Sequence, residues 1–135
     1  MMRIIHPFTV LIINLLNISC MSNTTVYEYA DGSANVYKLS PTTLEYIPVK
    51  KEESSTGMYS GGDPKTVTIT KTQYQSLSKL LESALSNTSV HINDRMKTSG
   101  AILAIDGDKK KNCIIKPKCA EMIAIEGALR EALGR

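Results

Sequence analysis

The chain has 135 residues, of which 42% are hydrophobic and 21% are charged, which fits one small globular domain. Its 16 basic and 13 acidic residues give a formal net charge of +3. Residues 1–20 hold one basic residue, Arg3, and no acid, so without them 15 basic residues face 13 acidic ones, or +2. A charge this small argues against a nucleic-acid partner.

The first twenty residues have the pattern of an export signal. Arg3 gives a basic start, and residues 8–18 are mostly apolar, although Asn14 and Asn17 dilute the stretch. An apolar stretch of this length suits a secretory signal, and it falls short of the roughly 20 residues that a membrane-spanning helix needs. The sequence therefore predicts export, and a retained membrane anchor is the alternative.

The end of this segment resembles the export signal of bacterial lipoproteins. Such signals end in Leu, two small residues and a Cys that becomes lipid-modified. Ile18, Ser19 and Cys20 occupy the last three positions, whereas Asn17 stands where the family has Leu. The resemblance implies lipid attachment at Cys20, a short tether at residues 21–24 and anchoring to a membrane of the cell envelope. Ordinary cleavage near Cys20, which would give a soluble secreted or periplasmic protein, is the alternative.

The start of the mature domain predicts a three-stranded antiparallel meander. The predicted strands cover residues 25–30, 33–39 and 43–49. Asp31-Gly32 is a tight hairpin turn signal, because such turns need positive φ angles. Pro48 predicts the end or the edge of the third strand, since proline cannot donate to a β-ladder.

Residues 50–64 are predicted to form a long loop. They are charged and then rich in Ser and Gly, with no apolar period. Loops of this length in compact domains are usually functional or disordered. Met58 and Tyr59 are large side chains between glycines, so they either pack back on the domain or contact a partner.

The rest of the domain predicts two amphipathic helices and further strands. The predicted elements are a strand at 65–69, a helix from Thr70 to Ser86-Asn87, a hairpin of strands 101–105 and 111–116, and a helix from about Lys118. Thr70 and Gln73 form a capping-box pattern, and Asn87 suits a left-handed C-cap. Each helix has one apolar stripe. We therefore predict one α+β domain at residues 25–135, with both helices on one face of a single antiparallel sheet.

The sequence contains no recognisable catalytic motif, and we expect no enzyme activity, cofactor or metal site. His91 is the one histidine beyond the signal, and we interpret it as a hydrogen-bonded structural residue. The run Lys109-Lys110-Lys111 follows the turn at residues 106–108, and it is typical of a solvated hairpin end.

Cys113 and Cys119 are the two cysteines that remain after Cys20. In an exported protein they are candidates for a disulfide that joins the last strand to the last helix. The alternative is two separate thiols in the core, because free Cys is often buried.

Four large side chains are candidates for partner binding: Met58, Tyr59, Tyr27 and Tyr29. Tyrosine combines apolar area with a polar tip and is favoured at interfaces. For Tyr27 and Tyr29, which share one strand face, the alternative is a half-buried sheet on which Tyr bridges core and solvent.

The sequence does not specify a molecular function, and the hypotheses rest on the predicted localisation and the predicted domain architecture. The leading one is a small, lipid-anchored envelope protein that binds a protein partner without catalysis. The alternatives are an inhibitor of an extracytoplasmic hydrolase that uses residues 55–62, and a structural component of the envelope.

Overall fold

The computed structural model describes residues 24–135, which form seven strands and two helices. The strands are β1 Val26–Ala30, β2 Val36–Leu39, β3 Thr43–Ile47, β4 Lys65–Thr68, β5 His91–Ile92, β6 Gly100–Asp106 and β7 Lys109–Ile115. The helices are α1 Lys71–Ser86 and α2 Ala120–Ala132. Neither helix of this part of the chain has the length and apolarity to cross a bilayer.

All seven strands belong to one antiparallel sheet in the order β4-β3-β2-β1-β6-β7-β5. The meander β1–β3 has β4 beside β3, and β4 forms one edge of the sheet. On the other side of the meander, the β6–β7 hairpin pairs with β1 through β6, and β5 pairs with β7 and forms the other edge. The predicted α+β architecture is confirmed, as is the end of β3 before Pro48.

Both helices cover the same face of the sheet and enclose one hydrophobic core. Because side chains alternate along a strand, every second residue of the central strands points into this core. The buried hydrophobic residues of the two helices are Tyr74, Leu77, Leu81, Ala84, Met122, Ile125 and Leu129. The sheet contributes Tyr27, Tyr29, Tyr37, Leu39, Leu44, Tyr46, Ile102, Ala104 and Ile115. The opposite face of the sheet carries no helix of the described chain.

The turn between β1 and β2 differs from the prediction. It spans Asp31 to Asn35, and the left-handed residue is Ala34 with a φ of 68°, not Gly32. The Asp31 carboxylate organises the turn, because its Oδ1 accepts the backbone N–H groups of Ser33 and Asn35 at 2.9 Å. The predicted tight Asp31-Gly32 turn is therefore wrong. Gly32 is required for another reason: a Cβ there would lie 2.7 Å from the Thr98 Cα.

Helix α1 begins as its sequence predicts. Thr70 Oγ1 accepts the Gln73 N–H at 3.1 Å, and the Gln73 side chain accepts the Thr70 N–H at 2.8 Å. The left-handed cap predicted at Asn87 is wrong, because its φ is −87°. Its side chain instead accepts the Ser89 N–H and starts a single 3-10 turn, Thr88–Val90.

Replacing Gly127 in α2 by Ala is expected to raise the free energy of unfolding by about 0.5–1 kcal/mol. Glycine in a helix interior costs about that much relative to alanine, and an added Cβ at residue 127 meets no atom within 4 Å. Urea denaturation of Gly127→Ala beside the parent chain measures the change. A lower midpoint for the variant would contradict this account of α2.

Candidate functional site

The segment between β3 and β4 forms the predicted long loop, and it is organised by its own hydrogen bonds. It begins with one 3-10 turn, Lys51–Glu53. Ser54 then makes two hydrogen bonds to the residues that follow it. Its carbonyl accepts the Gly57 N–H at 3.1 Å, and its Oγ accepts the Tyr59 N–H at 3.2 Å. We call residues 54–62 the Met58 loop.

Asn35 fastens this loop to the sheet. Its side chain is buried, at 4% exposure. The Nδ2 group donates to the Tyr59 hydroxyl and to Asp31 Oδ2, both at 2.9 Å, while Oδ1 accepts the Val49 N–H at 3.0 Å. One amide thus connects the β1–β2 turn, the start of the loop and the Met58 loop.

A second attachment lies at Gly61. Its carbonyl accepts the Tyr46 hydroxyl at 2.8 Å, and its N–H donates to the Val49 carbonyl at 3.0 Å. A side chain cannot be placed here, because an added Cβ would overlap Asn35 Oδ1 and lie 2.7 Å from Pro48 Cβ. Glycine at residue 61 therefore permits the close approach of loop and sheet.

The two large residues of the loop have different environments. Tyr59 is 40% exposed and packs back on the domain through its hydroxyl contact with Asn35. Met58 is 80% exposed, the highest exposure among the large apolar side chains of residues 24–135. The Met58 side chain therefore lies in solvent, while hydrogen bonds at Ser54, Tyr59 and Gly61 hold the backbone on either side of it.

Tyr27 and Tyr29 do not lie on an open surface, so their predicted role in partner binding is wrong. They are 3% and 1% exposed and face the helices. Their hydroxyls donate to carboxylates of those helices, Tyr27 to Glu82 and Tyr29 to Glu126, each at 2.8 Å. The alternation of β1 placed both residues on one face, and that face is the covered one.

The buried tyrosines are also held in their neutral form. Burial is the largest cause that raises the pKa of Tyr29, followed by the charge of Glu126. Burial likewise raises the pKa of Tyr37 to about 12. Tyr37 stacks at a tilt between the rings of Tyr29 and Tyr46, with centroids 6.1 and 5.0 Å away. Their role is structural.

Cys113 on β7 and Cys119 just before α2 are free, half-buried thiols in this structure. Both pack against the core. Burial raises the pKa of the Cys113 thiol to about 11, which disfavours the nucleophilic thiolate near neutral pH. The disulfide between them stays a prediction.

His91 has the structural role that its sequence context predicts. Its Nε2 lies 2.8 Å from the Ala84 carbonyl oxygen at the end of α1. Among residues 24–135, no three His, Cys, Asp or Glu side chains come together as metal ligands. Cys20, the predicted lipid attachment residue, lies outside the described residues.

The structure also identifies residues that sequence reasoning missed, namely Asn35 and Gly61, which position the loop. A signal for Asn35 existed, because Asn is depleted in strands and it lay inside a segment predicted as strand. No signal singled out Gly61 from the two other glycines nearby, Gly57 and Gly62. Comparison of the chain with models of protein families, with curated proteins and with solved structures gave no match.

Proposed function

We propose that the chain is a small exported, lipid-anchored protein of the cell envelope that binds a partner protein without catalysis, with Met58 as the central contact. The observation that supports this most is the combination of a fixed backbone and an exposed Met58 side chain. Methionine adapts its shape to an apolar partner surface.

The fixed backbone matters because binding has to overcome the entropy of ordering a loop. Here the Ser54, Asn35 and Gly61 contacts have already restricted residues 54–62. A partner would therefore immobilise little more than the Met58 side chain itself.

Inhibition of an extracytoplasmic hydrolase is the second candidate, and the same loop favours it. An inhibitory segment has to enter an active site and keep its shape there. The loop closure at Ser54 and the anchor at Tyr59 support such a rigid segment within residues 55–62. Assays against a panel of envelope proteases and glycosidases distinguish the two: the binding domain leaves every one of them active.

Replacing Met58 by Asp is expected to lower recovery of the partner from envelope extracts at least tenfold, because the central apolar contact becomes charged. Since Met58 is exposed, the melting temperature should stay within about 2 °C of the parent value. Ile123→Asp is the matched control, as Ile123 is 63% exposed on α2. Equal recovery with both variants would contradict the role of Met58.

Cys20→Ala is expected to move the protein from the membrane fraction to the soluble fraction, because two or more acyl chains provide the stable anchoring. Fractionation of cells that express the full chain, with labelled fatty acid, measures both location and acylation. Cys119→Ala is the control and should remain labelled and membrane-bound. A Cys20→Ala protein that stays in the membrane would show that the anchor lies elsewhere.

A further inference from the structure

The sheet face opposite the helices carries an apolar row that crosses six strands. The strand registers pair these residues side by side, and the row runs Ile47, Val36, Ala30, Ala101, Ile114, Ile92. With strands about 4.8 Å apart, the row is about 24 Å long. A solvated face of an antiparallel sheet normally carries polar residues, so this row indicates a surface that becomes covered.

The row contains both a projection and a depression. Ile47 is 43% exposed and stands out near one end of the row. Towards the middle, a shallow depression of about 680 Å³ lies over Ala30 and Ala101, where the side chains are small. Val36 and Ile114 border it.

The neighbouring row on the same face is charged and alternates in sign. Glu28 pairs with Lys38 across β1 and β2, and Lys38 pairs with Glu45 across β2 and β3. The row continues across β6 and β7 as Leu103 and Asn112. The face therefore presents an apolar row beside a row that is charged on β1–β3 and uncharged on β6 and β7.

We propose that this face packs against the same face of a second copy, with the twofold axis parallel to the strands and between β1 and β2. An interface of this symmetry brings each patch against its own counterpart. That axis sets β3 over β6 of the other copy and β2 over its β1. Ile47 then meets the depression at Ala101, Val36 meets Ala30, and each contact occurs twice.

Charge complementarity supports the same axis. It places Lys38 opposite Glu28 of the other copy, again twice, so these two pairs attract beside the apolar rows, while Glu45 lies over Leu103 towards the rim. Large side chains that face small ones fill the space between two packed sheets. A lipid surface or a small apolar ligand would fill the depression and leave Ile47 and the charged row without a counterpart.

Sedimentation equilibrium or small-angle scattering of the purified chain from about 10 μM to about 1 mM tests the proposal. We expect a dimer whose fraction rises over this range and whose dissociation constant increases at least tenfold in Ile47→Asp. Glu28→Lys and Lys38→Glu should each weaken it several-fold, and the double variant should restore it to within about threefold. Met58→Asp should leave it unchanged, which separates this interface from the proposed partner contact.

Because Glu28 and Lys38 also pair within one chain, circular dichroism melting of each variant accompanies the measurement. A dissociation constant that changes while the fold is retained reports on the interface. A monomer at about 1 mM, a dimer indifferent to Ile47→Asp, or a double variant that fails to recover would each overturn the proposal. Lipid bound to a monomeric chain would overturn it too.

Discussion

Raising the pH from about 9 to about 12 is expected to unfold the protein. In the unfolded chain the Cys113 thiol ionises near pH 9 and tyrosines near pH 10, whereas in the fold burial raises the pKa of Cys113 to about 11 and that of Tyr37 to about 12. Burial also raises the pKa values of Tyr27, Tyr29 and Tyr74. In this range the unfolded state holds fewer protons than the folded state, so stability falls as the pH rises.

The expected loss is large because several groups act together. Each group removes at most about 1.4 kcal/mol per pH unit between its unfolded and folded pKa values, and the half-buried Cys113 removes less because solvent screens it. The stabilisation from these protons is complete below pH 9 and declines above it, first through Cys113 and then through the tyrosines. Because five groups titrate in this range, their combined loss is a sizeable fraction of the 5–15 kcal/mol that is typical of whole domains.

Urea denaturation of the reduced protein at a series of pH values measures this decline. Tyr29→Phe should weaken the pH dependence above pH 10, since that buried hydroxyl no longer titrates. Gly127→Ala is the control, because it should shift the whole curve upward without altering its slope. A free energy of unfolding that stays level from pH 9 to pH 12 would contradict the neutral, buried state of these groups.

Asn35→Ala is expected to lower the free energy of unfolding by about 2–4 kcal/mol and to release the Met58 loop. The change removes three hydrogen bonds of the buried Asn35 side chain, to Asp31, Tyr59 and Val49. Each such bond contributes about 0.5–1.5 kcal/mol. Urea denaturation gives the loss of stability. Limited proteolysis should show a new rapid cleavage within residues 54–62.

An exposed asparagine provides the comparison for that result. Asn93 is exposed and follows β5 at the far edge of the sheet. Asn93→Ala should change the free energy of unfolding by less than about 0.5 kcal/mol and should leave the loop resistant to proteolysis. If Asn35→Ala were as mild as Asn93→Ala, with an equally resistant loop, the attachment through Asn35 would not be what holds the loop.

The sequence predicted the elements whose signals are local. Helix α1 follows from Thr70, Gln73 and an apolar period, all within sixteen residues, and the structure confirms it. The prediction of the turn before β2 was wrong because its left-handed residue is Ala34, and alanine gives no sequence signal for a positive φ. β5 has two residues, His91 and Ile92, and exists through its pairing with β7 rather than through any pattern of its own.

The candidate site was predictable only in part. Composition identified the long loop and the pair Met58 and Tyr59, because Ser and Gly runs are visible in sequence. Which of the two is exposed depends on Asn35, 24 residues away from Tyr59 along the chain.

Contacts between distant strands could not be predicted from the sequence. Alternation grouped Tyr27 with Tyr29 but could not say which face of the sheet the helices cover. The apolar row could not be predicted for a related reason, since Ile47 and Ala101 share a face only through the register of three strand pairings.

Site-specific photo-crosslinking in cells tests most directly whether the Met58 loop contacts a partner protein. A photoreactive amino acid at residue 58 of the full chain should give one discrete crosslinked product, and the same amino acid at residue 123 should not. The Asn35→Ala background should reduce the product strongly, because the loop is then released. No product from residue 58, or the same products from both positions, would contradict the account.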